Sequence, residues 1–203
     1  MTSASTPLTL GDIADARAYE RERSEFRERI IQLKKIRRVS VGPVVTFVFE
    51  NRDTIRFQIQ EMARAEKLYS DEAIQVELDT YNPLIPGPGQ LSATMLIELT
   101  SRDEMEHWLP RLVGIETAPR IVIGEGADAD VVPANVDPAH AAQLTRQATT
   151  ASVHYVGFSL DPGQVTRFGV EPVKLGIDHP EYRQETPLSE ATKRSLLGDL
   201  SPR

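Results

Sequence analysis

Apolar residues recur at helical spacing over Phe26, Ile30, Ile31 and Leu33, at the far end of a highly charged stretch. Together these predict one long N-terminal helix over 14–38. Residues 44–49 read as a strand, and Asn51-Arg52-Asp53 as a turn or a helix start. From Thr54 to Gln60 polar and apolar side chains alternate without a break, which favours the second arm of a hairpin, although Gln60 to Leu68 are good helix formers. Ser70-Asp71-Glu72-Ala73 opens a helix that runs to about Thr80, and Pro83, Pro86 and Pro88 then break the chain.

Beyond the prolines the pattern predicts strands over 91–99, 120–123, 130–132, 152–160 and 173–177, and helices over 102–113 and 189–200. Asp137-Pro138 and Asp161-Pro162 are helix-start signals, a capping carboxylate followed by proline at the first helical position. No regular strand–helix–strand rhythm and no internal repeat is present. The expectation is an α+β fold: one domain over 9–200 behind a flexible 1–8 segment, with a mixed, largely antiparallel sheet and flanking helices.

Composition narrows the chemistry. At 203 residues and 40% hydrophobic content the chain can bury a substantial core. No apolar run approaches the roughly 18 residues that span a bilayer, and residues 1–7 lack a basic or hydrophobic signal region, so a cytoplasmic protein is expected. The absence of cysteine excludes disulfides, thiolate nucleophiles and cluster ligation by this chain, leaving His, Asp, Glu and Tyr as metal ligands. A net charge of −7 argues against nucleic acid as a partner. That charge is uneven, since residues 1–38 carry a net +3 against −10 for the rest. Lys34, Lys35, Arg37 and Arg38 fall at a helix C-terminus, where cations are favoured; they read as a solvated helix end or as a docking patch for a partner.

Several separated blocks carry a resemblance: Ile31-Gln32-Leu33-Lys34-Lys35-Ile36-Arg37-Arg38 with Gly42, Phe49-Glu50-Asn51-Arg52, Phe57-Gln58-Ile59-Gln60-Glu61-Met62, and Glu77-Leu78 with Tyr81-Asn82-Pro83-Leu84-Ile85-Pro86. Val153-His154-Tyr155, Leu175-Gly176 and Asp178-His179-Pro180-Glu181-Tyr182 complete the set. Together they resemble the bacterial domain-of-unknown-function family numbered three-five-zero-one, over about residues 9–200. Genes of that family commonly sit beside genes for rubrerythrin-like and heterodisulfide-reductase-like iron-sulfur proteins. The resemblance therefore implies an accessory protein of a redox or peroxide-stress module that docks an iron or iron-sulfur partner.

The residues offer an alternative, an enzyme acting on a small molecule or through a non-haem metal. His154 shares a predicted strand face with Val156 and Phe158, and Asp178-His179-Pro180 lies just beyond the strand over 173–177. If the two histidines converge, a carboxylate from Asp178, Glu61 or Glu66 would complete a two-histidine, one-carboxylate set suited to iron or another divalent metal. A core histidine and a proline-fixed turn are the competing structural readings. Gln58, Glu61, Tyr81, Asn82 and Tyr182 are the ligand-binding candidates, because polar groups amid apolar neighbours persist only when paired or bound. No phosphate-binding glycine loop and no nucleophile elbow is present.

Overall fold

The computed structural model describes residues 6–136 and 149–201. The helix-start signal Asp137-Pro138 lies outside them. Among the described residues the chain forms α1 (Ala16–Arg37), β1 (Arg38–Val41), β2 (Val45–Glu50), α2 (Arg52–Glu66), α3 (Asp71–Tyr81), β3 (Gln90–Ile97), α4 (Arg102–Trp108), β4 (Pro119–Ile123) and β5 (Asp130–Pro133). Then follow β6 (Val153–Ser159), α5 (Pro162–Val170), β7 (Val173–His179), β8 (Tyr182–Pro187) and α6 (Glu190–Leu200). No described helix is long and apolar enough to cross a membrane.

The α+β expectation holds, with two sheets in place of one. Both are antiparallel and four-stranded, in the orders β1-β2-β3-β6 and β5-β4-β7-β8. One continuous apolar core joins them: Val41, Phe47, Phe49, Ala93, Met95, Val156 and Phe158 from the first sheet meet Ile121, Ile123, Leu175 and Ile177 from the second. Two facing sheets each bury one alternating face in this way. Strand β2 is buried at all six positions, because α1 and α2 cover its other face.

The stretch 54–60 is helical and not a hairpin arm. Asn51 caps α2 reciprocally with Thr54: Thr54 N donates to Asn51 Oδ1 at 3.0 Å, and Asn51 N to Thr54 Oγ1 at 2.9 Å. Ile55 and Ile59, one turn apart, join Leu8 and Leu78 in a small core, whereas Phe57 turns away to meet Phe26 of α1 edge-on, ring centroids 5.5 Å apart. A helix buried along two separate stripes reads as alternation over a short window. The packing of α1 through Phe26, Ile30 and Leu33 is as its spacing predicts. Helix α4 stops at Trp108, short of the expected 113, and strands β1 and β8 were not foreseen.

Candidate functional site

The basic end of α1 divides into one structural anchor and an exposed remainder. Arg37 is buried: its Nη1 donates to Asp199 Oδ2 at 2.6 Å and to the Glu50 carbonyl at 3.4 Å, while Nε and Nη2 reach Ser195 Oγ and its carbonyl. It therefore clamps α1 to α6, which corrects its assignment to a solvated or partner-binding patch. The helix ends at this residue and leads directly into β1, so its side chain falls beneath α6 and away from solvent. Burial pushes the Asp199 carboxyl above its ordinary range, and Arg37 opposes that push. Lys34, Lys35 and Arg38 remain, and with Arg27 they rim a groove of about 300 Å³ floored by Ile30, Ile31, Val48 and Phe57. Lys34 Nζ lies 3.9 Å from Glu50, and Arg38 pairs with Glu98. Among the described residues neither Arg27 nor Lys35 has an ion-pair partner.

The metal candidates occupy separate places. His154, on the inner face of β6 opposite Met95, has Nε2 2.9 Å from both the Ala151 carbonyl and Thr150 Oγ1. His179 ends β7 in the other sheet, where Nε2 donates to the Val113 carbonyl at 3.2 Å and Nδ1 accepts from Glu181 N at 3.3 Å. Both of its nitrogens are thus engaged with backbone. Asp178 lies at the surface, paired with Arg120 and Arg183. Glu61, on α2, accepts from Tyr19 at 2.7 Å and from both Nε and Nη2 of Arg23 at 2.8 Å. The Arg23 hydrogen bonds hold the Glu61 carboxyl below its ordinary range against desolvation. Among the described residues no three His, Asp or Glu side chains gather as a metal site. Among the described residues Glu61, His154 and His179 thus do not gather as a metal site: the histidines are bonded to backbone on strands of different sheets, and Glu61 joins α1 to α2.

Two ligand candidates are likewise structural. Asn82 binds both backbone groups of Leu8, and the Tyr182 hydroxyl donates to the Val41 carbonyl at 2.7 Å while accepting from Val44 N at 3.2 Å. Gly42, at φ +72°, makes room for that phenol, since a Cβ there would stand 2.5 Å from the Tyr182 hydroxyl. Gln58 is half-buried on α2.

Tyr81 alone lines a sizeable cleft. Alternation along β3 and β6 sends Leu91, Ala93, Met95, His154, Val156 and Phe158 inward, and turns Ser92, Thr94, Tyr155 and Gly157 to the opposite face. The end of α3 and the Asn82–Leu84 3-10 turn wall that face, enclosing about 620 Å³. In register, Glu50 lies opposite Ser92 and Tyr155 opposite Thr94. The buried Glu50 accepts from Thr94 Oγ1 at 2.8 Å through Oε1, while Oε2 accepts no hydrogen bond. Burial first, and then the neighbouring Tyr81 and Glu50, hold the Tyr155 hydroxyl above its ordinary range. Tyr155 escaped the sequence reading; its signal was its place one residue from His154, which alternation assigns to the outer face.

A family model described as "Protein of unknown function (DUF3501)" matches residues 7–200. The chain is also similar to a solved structure, a novel protein of unknown function from Burkholderia pseudomallei K96243. The identity is 34%, the match covers 97% of this chain and all of that one, and the TM-score is 0.86. No curated protein matches. A match over nearly its whole length, together with a relative of the same fold at this identity, means that the chain belongs to the DUF3501 family of proteins of unknown function.

Proposed function

We propose that this protein is a cytoplasmic accessory component of a bacterial redox or peroxide-stress module, docking an iron or iron-sulfur partner through an acidic, apolar-tipped segment of that partner. The groove beside α1 carries the reading. Among the described residues four cations and no carboxylate line it, over an apolar floor, in a chain of net charge −7. A local field opposite to that of the whole molecule steers an acidic segment and disfavours this chain's own acidic faces. Ile31, about one-third exposed at the groove, supplies an anchor for an apolar side chain.

The test measures binding of the purified full-length chain to a rubrerythrin-like protein and to a heterodisulfide-reductase-like iron-sulfur protein from the same organism, at low and high salt. The wild type should bind at least one of them, more weakly as salt rises. Arg27→Glu/Lys35→Glu should reduce that binding by at least about tenfold at unchanged melting temperature, since both side chains are exposed. Binding that ignores both salt and the reversals, or no binding to either protein, would overturn the reading.

A further inference from the structure

We propose that the cleft between the Asp79–Pro86 segment and the outer face of β3 and β6 binds a small organic cation, an amine or amidine carried on a flat or compact carbon frame. This site is independent of the docking groove. Its volume, about 620 Å³, is that of a small-molecule pocket, and Leu84, Ile85 and Pro86 form an apolar wall. Tyr81 and Tyr155 contribute aromatic rings from opposite sides, one from the end of α3 and one from β6.

The charge of the lining decides the ligand class. Among the described residues the single charged side chain lining the cleft is Asp79, which is exposed and held by Gln75 Nε2 at 2.8 Å. No described lysine or arginine lines it. Behind the floor stands the buried Glu50 carboxylate, opposite Ser92 in register, with one oxygen lacking a hydrogen bond; its nearest cation, Lys34, belongs to the other groove. Among the described residues an anion entering here would lose water and meet no lysine or arginine, whereas a cation would meet the Asp79 carboxylate, two tyrosine side chains and hydroxyl oxygens.

The floor is shaped for a polar contact. Gly157 leaves space that the Asn135 side chain occupies, for a Cβ at Gly157 would fall 2.3 Å from Asn135 Oδ1. Asn135 is fixed there by backbone bonds in both directions to Gly157 and by its Nδ2 donating to Ser159 Oγ at 3.1 Å. That orientation leaves Oδ1 as an acceptor at the edge of the cleft.

Calorimetric titration of the full chain with phenethylamine, phenethyl alcohol and hydrocinnamate compares a cation, a neutral molecule and an anion on one frame; agmatine and cadaverine extend the cation series. At least one amine should bind saturably at millimolar concentration, and phenethylamine more tightly than its alcohol and acid analogues. Asp79→Asn, an exposed change that leaves the fold intact, should weaken amine binding by about tenfold. Tyr155→Leu should weaken it as well, while Arg27→Glu/Lys35→Glu leaves it unchanged. Equal or tighter binding of hydrocinnamate, binding indifferent to Asp79→Asn, or saturable binding by none of the amines would overturn the proposal.

Discussion

Replacing Arg37 by Met removes the guanidinium that joins α1 to α6 while keeping a side chain of similar reach. Asp199 then loses its 2.6 Å partner, and the carbonyls of Glu50 and Ser195 lose donors, all in a region where Arg37 is 2% and Asp199 8% exposed. Breaking a buried pair from one side costs about 3–5 kcal/mol, because the surviving charge stays desolvated. Against a total stability of about 5–15 kcal/mol this is a large fraction. The cost should depend on pH. Burial already raises the folded-state pKa of Asp199, and loss of Arg37 raises it further. A carboxyl whose folded pKa is raised binds more protons folded than unfolded, so its penalty is absent below the unfolded value and grows as pH rises through the folded one. Arg37→Met should therefore be less destabilising at about pH 5 than at pH 8. The double variant Arg37→Met/Asp199→Leu should recover most of the loss, since an apolar pair carries no desolvation penalty. Urea unfolding followed by far-ultraviolet circular dichroism measures all three. A single-variant loss below about 1 kcal/mol, or a loss that grows toward acid, would refute the assignment of Arg37 as a buried clamp.

The remaining expectations each isolate one contact. Tyr182→Phe deletes a hydroxyl that serves two backbone groups at the β1–β2 turn, and should cost about 1–3 kcal/mol in chemical unfolding. Glu61 has a depressed folded pKa, so its stabilisation is present above the ordinary carboxylate value and lost as pH falls through the depressed one; Glu61→Gln should flatten the acid limb of the melting-temperature profile and leave the alkaline limb alone. Gly157→Ala should displace Asn135, lowering stability by about 1–3 kcal/mol and weakening amine binding in the cleft; an unaltered titration would show that Asn135 plays no part in it. His154→Ala and His179→Ala should both lower the melting temperature without altering metal content, measured on protein purified without chelator, because each ring bonds neighbouring backbone.

Local chemistry already specified most elements. The apolar spacing of α1, the Ser70 and Asp161 caps, and the alternation along β3 and β6 each depend on neighbours a few residues away, and the observed elements follow them within a few positions. Alternation also assigned His154 to the core face, where it lies. What sequence periodicity could not separate was α2, whose two buried stripes, toward Leu78 and toward Phe26, exist only once α3 and α1 have packed on either side. The candidate site was decided at still longer range. Whether a polar side chain amid apolar neighbours faces a ligand or a protein partner depends on what folding brings opposite it, and Glu61 met Arg23, Asn82 met Leu8 and Arg37 met Asp199 across separations of 38, 74 and 162 residues. Those partners consumed most of the predicted site residues. Tyr81 reached a cleft instead, joined there by Tyr155, because strand register laid Tyr155 beside Thr94 and set Glu50 opposite Ser92. Residue identity thus determined the elements and the polar groups available, and the pairing of distant strands and helices determined which of those groups were left to bind something else.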